Sequence, residues 1–148
     1  MSTRNCVRPA LTLVAAGLLL IAAGCDNGSV SLTAPDQSAI AYSQTDLTVG
    51  TGAEATPGKT ATVQYAGWLY SETGTDHKGQ QFDASQFSYL VGSNQIIKGF
   101  DMGVTGMKVG GVRRVIMPPS LAYGAQGNGD KVPPNAALVF EILLANVQ

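Results

Sequence analysis

Lys59-Thr60-Ala61-Thr62-Val63-Gln64-Tyr65-Ala66-Gly67-Trp68-Leu69-Tyr70 is the stretch on which the architecture turns. Ala61, Val63 and Tyr65 fall on one face and Thr60, Thr62 and Gln64 on the other, the alternation of a strand with one buried side. Ser71–Gln80 follows; it is polar, contains Gly74 and Gly79 and no large apolar residue, and reads as an exposed loop. Phe87–Val91 reads as a short aromatic strand closed by Gly92. Ile96, Ile97, Phe100, Val104 and Met107 fit one face of a short helix. Gly99, Gly103 and Gly106 each weaken that helix by about 1 kcal/mol relative to alanine, so tertiary packing must hold it.

Further along, Gly110-Gly111 turns into a strand over Val112–Met117, which Pro118-Pro119 ends. Ser120–Pro134 is a long glycine-containing loop. Leu138–Leu144 is open to helix by propensity, but its brevity, the Val139-Phe140 pair and the preceding prolines favour a strand. Several strands and one short helix give an antiparallel α+β fold, with the helix covering one face of the sheet.

Composition narrows the function. The 148 residues, 15.3 kDa in mass, make one domain of ordinary size. A chain 45% apolar and 13% charged is not disordered as a whole, and a net charge of −1 carries no basic excess for nucleic acid. Two cysteines rule out a disulfide-stapled scaffold or a four-cysteine zinc site, and the single histidine, His77, argues against a histidine-rich metal site. No cofactor or metal is indicated.

The N-terminus reads as an address. Arg4 and Arg8 precede an uncharged stretch from Ala10 to Ala23. Its length of about 14 residues suits a signal peptide and falls short of a membrane-spanning helix. Ala22-Ala23-Gly24 before Cys25 resembles a bacterial lipobox, in which the cysteine thiol takes a diacylglyceryl group; plain secretion with cleavage near Gly24 is the other reading. Cys6 leaves with the signal, so Cys25 would be unpaired, and lipidation accounts for it. The expected organisation is a signal peptide over 1–24, a lipidated Cys25 with a polar tether over 25–43, and a folded domain over 44–148. This places the domain in a bacterial cell envelope, anchored to the membrane by lipid and facing the periplasm or exterior.

Six pieces of sequence then recur in a known order. They are Tyr65-Ala66-Gly67, Phe82-Asp83, Gln95-Ile96-Ile97-Lys98-Gly99-Phe100, Gly106-Met107-Lys108-Val109-Gly110, Pro118-Pro119-Ser120-Leu121-Ala122-Tyr123-Gly124, and Val132-Pro133-Pro134-Asn135-Ala136-Ala137-Leu138-Val139-Phe140-Glu141. Together they resemble the FK506-binding protein family of peptidyl-prolyl isomerases, from about residue 44 onward. The resemblance implies a bent antiparallel sheet wrapped around one short helix, with an apolar pocket between them. It implies walls of Tyr65, Phe82, Phe87, Ile96, Ile97, Tyr123 and Phe140, a floor at Phe100, and Val132 among the substrate-binding residues. Asp83 would be the one charged member, the Ile97 N–H and the Tyr123 hydroxyl would meet a peptide's carbonyl groups, and Tyr65, Phe82, Asp83, Tyr123 and Phe140 would act on the prolyl bond. Taken singly, Phe82, Ile96 and Phe140 read as core and Asp83 as a turn residue; only their joint order points to a pocket.

The implied partners are proline-containing unfolded or loop segments of exported proteins and FK506-like macrolides. A membrane-anchored module that grips proline segments with little catalysis is the alternative. Phe100 stands where the family usually has Trp, Asn128 replaces a common His, and Lys131 replaces an apolar residue. The segment between Asp83 and Phe87 is too short to hold a frequent family Arg.

Overall fold

The computed structural model describes residues 37–148; the signal segment, Cys25 and most of the tether lie outside the described residues. Five strands form one sheet: β1 (Ser43–Thr48), β2 (Thr60–Tyr70), β3 (Lys78–Leu90), β4 (Val112–Met117) and β5 (Leu138–Val147). Their order across the sheet is β1-β4-β5-β2-β3, and every neighbouring pair is antiparallel. Among the described residues one α-helix, α1 (Lys98–Val104), packs against β4 and β5. The expected α+β class and the strands over 60–70, 112–117 and 138–144 are all present, the last extended to Val147.

The core follows from the alternation. Ala61 and Val63 of β2, Val115 and Met117 of β4, and Leu138, Phe140, Ile142 and Leu144 of β5 are buried together with Phe100 and Val104 of α1. The helix is shorter than its apolar spacing suggests: Ile96 and Ile97 precede it, and Met107 lies beyond its end. Its glycines explain how so short a helix is kept. A Cβ at Gly103 would stand 2.6 Å from Val115 Cγ2, and one at Gly99 would stand 2.8 Å from Met117 Sδ. The residues that weaken α1 as a helix therefore let its backbone lie directly on β4, and burial of Phe100 and Val104 offsets the lost propensity.

Two elements differ from expectation. The loop over 71–80 ends at His77, and β3 runs without interruption from Lys78, absorbing both Phe82-Asp83 and the short strand expected at 87–91. Its polar residues are strand residues because β2 supplies the hydrogen-bonding partner, in a register running from Gly67↔Asp83 to Thr60↔Leu90. β1 has no counterpart among the expected strands: all six of its residues are exposed, so its sequence carries no buried face to betray it. Contacts with the domain also begin before residue 44. Gln37 Oε1 accepts the Ala137 N–H at 2.7 Å, and its Nε2 donates to the Tyr70 carbonyl at 3.4 Å.

Arg113 fastens β1 and the helix together. It lies on the inward side of β4, only 9% exposed. Its Nε and Nη2 donate to the two carboxylate oxygens of Asp46 on β1 at 2.5 and 3.2 Å. Its Nη1 donates to the carbonyls of Gly103 and Thr105 at 3.0 and 3.3 Å, where α1 ends. Those carbonyls have no partner within the helix, so the guanidinium satisfies the Gly103 carbonyl, which would otherwise be buried unpaired, and the part-buried Thr105 carbonyl beside it.

Candidate functional site

Between α1 and the sheet opens a cavity of about 460 Å³ lined by Tyr65, Phe82, Asp83, Phe87, Gln95, Ile96, Ile97, Phe100, Tyr123 and Phe140. β2 contributes Tyr65; β3 contributes Phe82, Asp83 and Phe87; the turn into α1 contributes Gln95, Ile96 and Ile97; α1 contributes Phe100; β5 contributes Phe140. Tyr123 comes from the loop after β4, between two 3-10 turns.

The rings form one contact set. Phe100 and Phe140 sit at its bottom, each 3% exposed, with centroids 5.3 Å apart and planes nearly perpendicular. Tyr65 lies 5.6 Å from Phe87 and from Phe100, edge-on to both, and 5.8 Å from Phe140. Phe82 meets Phe140 edge-on at 5.7 Å. Edge-to-face packing places the positive rim of one ring against the negative face of the next, which fixes the rings beyond what burial alone would do. Gly67 makes room for this: a Cβ there would stand 2.7 Å from Phe140 Cε1 and 2.9 Å from Phe82 Cζ.

One charged side chain enters the lining. Asp83 Oδ2 accepts the Tyr65 hydroxyl at 2.5 Å, and Lys131 Nζ stands 4.0 Å from Asp83 Oδ1 at the exposed rim. Burial, then the hydrogen bond to Asp83 and that carboxylate's charge, push the Tyr65 hydroxyl far above the ordinary phenol range. It therefore stays protonated as a donor to Asp83. Burial also raises the Tyr123 hydroxyl, with Asn128 opposing and the Asp83 charge reinforcing the shift. Among the described residues the Ile97 N–H has no intramolecular acceptor, since the hydrogen bonds at this turn run instead to the Ile97 carbonyl.

The structure thus gathers nine of the residues singled out in the sequence around a single opening. Val132 is not among them. It is 1% exposed and belongs to the core, because its backbone pairs with Asn128 across a tight loop and turns the side chain inward. Gln95 lines the cavity although the sequence did not single it out; its place next to Ile96 in the same motif was the available signal.

Residues 52–145 match the family model of the FKBP-type peptidyl-prolyl cis-trans isomerase. The chain is 43% identical over 102 residues to an FK506-binding protein of Neisseria meningitidis, which covers 69% of this chain and 92% of that protein. It is 42% identical over 107 residues to the 46 kDa FK506-binding nuclear protein of Spodoptera frugiperda. The matching region spans only 24% of that relative's length and 20% of a peptidyl-prolyl cis-trans isomerase of Arabidopsis thaliana. Among solved structures, the peptidyl-prolyl cis-trans isomerase of Pseudomonas syringae pv. tomato superposes with a TM-score of 0.61 at 32% identity, covering 77% of this chain and 82% of that one. FkpA of Escherichia coli superposes with a TM-score of 0.60 at 29% identity, covering 72% of this chain and 48% of its own.

Proposed function

The chain belongs to the FKBP-type peptidyl-prolyl cis-trans isomerases, and from that membership we propose that it accelerates rotation about X–Pro bonds in exported polypeptides. The observation that carries the reading is the convergence of Tyr65, Phe82, Asp83, Phe87, Ile97, Tyr123 and Phe140 on a single apolar opening.

The chemistry follows from the bond. An X–Pro peptide turns slowly because rotation breaks amide resonance, against a barrier of roughly 18–20 kcal/mol. In the twisted amide the nitrogen recovers its lone pair and the carbonyl oxygen loses negative charge, so the transition state is less polar than either planar form. Water stabilises the planar forms more. A ring-lined cavity that sheds water therefore favours the twisted state, provided the flanking chain is held. In this reading the Ile97 N–H and the Tyr123 hydroxyl hold carbonyl groups of the bound chain, and the Tyr65–Asp83 hydrogen bond steadies the same lining. A thousandfold acceleration asks for about 4 kcal/mol, within reach of such contacts and without a nucleophile or a proton relay.

A proline-peptide isomerisation assay on the full chain tests this. Phe82→Ala and Tyr123→Ala are each expected to lower kcat/KM by about ten- to a hundredfold, or roughly 1.4–2.7 kcal/mol of lost transition-state stabilisation. Wild-type protein that accelerates nothing while still binding the peptide would favour the alternative, a proline-segment binder, to which Phe100 in place of Trp gives some support.

Anchoring is a second part of the proposal. Cys25 carries the lipid, residues after it form the tether, and the domain works at a bacterial envelope membrane with exported, proline-containing chains as clients. FK506-like macrolides would compete for the same pocket. Cys25→Ser is expected to move the protein from the detergent phase to the aqueous phase on partition of expressing cells. Unchanged partition would remove the anchor from the account.

A further inference from the structure

We propose that the outer edge of β3 captures the extended residues flanking the client's proline as an added antiparallel strand; this rests on the isomerase reading and assigns it a second binding element. β3 is the last strand of the sheet, with no neighbour on its outer side among the described residues. Its pairing with β2 is unbroken from Gly67↔Asp83 to Thr60↔Leu90, with no bulge in that span to twist the edge away.

The direction of its backbone groups can be worked out. Thr60 exchanges both backbone hydrogen bonds with Gln148, at 2.8 and 2.9 Å, so it faces β5 and not β3. Alternation along β2 turns Thr62, Gln64 and Ala66 the same way. Their partners on β3, Ser88, Gln86 and Ala84, therefore direct N–H and C=O outward. The next residues along agree: Val91 bonds to Lys59 and Gly58, whereas the Leu90 carbonyl points away from β2 and accepts from Ser93. No hydrogen bond among the described residues uses the outward backbone groups of Ala84, Gln86 or Ser88.

Sheet edges are normally blunted by lysine, proline or a bulge. From Ala84 to Leu90 this one has no charged residue, no Pro and no bulge; Lys78 and the register shift opposite Gly67 and Trp68 lie at the other end of β3. The occupant is indicated by continuity with the pocket. Phe82, Asp83 and Phe87 belong both to the cavity lining and to β3, so a chain with its proline in the cavity leaves it beside this edge. The residue before a proline is confined to extended backbone, which is the conformation an edge accepts. Main-chain pairing is indifferent to side chains, as suits a site that must accept varied clients.

The test uses the full chain and two fluorescent peptides, a proline tetrapeptide and an uncharged peptide of about ten residues with a central proline, a typical strand's length or a little more. The long peptide should bind about tenfold tighter, the worth of a few net hydrogen bonds, and should slow hydrogen exchange at the Ala84, Gln86 and Ser88 amides. N-methylation of alternate flanking residues should cancel both effects. Gln86→Pro, which removes an outward N–H together with the side-chain oxygen that accepts from Gln64 Nε2 at 3.0 Å on the solvent face, should reduce the long peptide to the tetrapeptide's affinity and leave tetrapeptide binding unchanged. If that variant fails to fold, the N-methylated peptide on the wild-type chain decides the same question. Equal affinity for the two peptides, tighter binding without amide protection, or protection that appears on raising protein concentration without peptide (a second copy on the edge) would each overturn the proposal. Edge protection by the long peptide with no isomerisation of either peptide would leave the edge standing and remove the isomerase reading alone.

Discussion

Phe140→Ala is expected to lower the unfolding free energy by about 3–5 kcal/mol, a large share of the 5–15 kcal/mol typical of a domain, and to abolish isomerisation at any temperature where the variant remains folded. The ring is 3% exposed and serves both core and pocket. It closes the core beneath β5, and it meets Tyr65, Phe82 and Phe100 at 5.8, 5.7 and 5.3 Å. Its removal leaves a void continuous with the cavity, so the three remaining rings lose the surface that orients them. Chemical denaturation gives the first quantity and the proline-peptide assay the second. Phe140→Leu separates them: it keeps most of the buried volume and loses the edge-on contacts, worth about 0.5–1.5 kcal/mol per pair. That variant should stay folded and lose activity disproportionately. A Phe140→Ala cost below about 1 kcal/mol would show that core and pocket do not share this ring.

Arg113→Ala is expected to cost about 2–3 kcal/mol without entering the pocket at all. Hydrogen bonds to a charged group contribute about 1.5–3 kcal/mol, and here one guanidinium serves a carboxylate and two helix-terminal carbonyls. The Asp46 side chain is 44% exposed, so solvent screens that half of the interaction and the larger part of the loss falls on the carbonyls of Gly103 and Thr105. Arg113→Lys should recover little, because an ammonium cannot span both sides.

The pH dependence has a definite sign. The hydrogen bond from Arg113 holds the Asp46 carboxyl below its ordinary value, against a smaller opposing effect of burial. A depressed carboxyl stabilises the fold above its unfolded pKa of about 3.9, and that share is lost as pH falls through the lower folded value. The difference between wild type and Arg113→Ala should therefore be full at neutral pH and shrink below about pH 4. Denaturation midpoints of both proteins at neutral and acid pH check this, and a difference independent of pH would remove Asp46 from the account. Glu141 contributes acid sensitivity of the same sign to both proteins. Burial pushes its carboxyl up, but hydrogen bonds from Lys78 and Arg114 outweigh that and hold it low.

How much of this is legible in the sequence depends on whether a residue's neighbours are local. β2, β4 and β5 have one face buried and one face wet, so alternation of side chains announces them. The aromatic residues of the pocket are recognisable by their order along the chain. Val132, drawn into the same set, is held in the core by a loop closure with Asn128 that spacing does not disclose.

Side-chain pattern alone yields the antiparallel α+β class, the central strands and the need of a glycine-weakened helix for outside support, while the resemblance in motif order supplies most of the pocket-lining residues. Packing in three dimensions is what makes β1 and the first half of β3 strands, because an edge strand is held by backbone bonds to a neighbour and leaves little mark on its own side chains. It alone decided that Gly99 and Gly103 are contact surfaces for β4, and that Arg113 reaches an aspartate 67 positions away. It also decided that rings from β2, β3, α1 and β5 meet edge-on around a single opening. The physical reason is common to all of these: periodicity records which side of an element is dry, whereas the partner on that side is chosen by how the sheet closes over the helix.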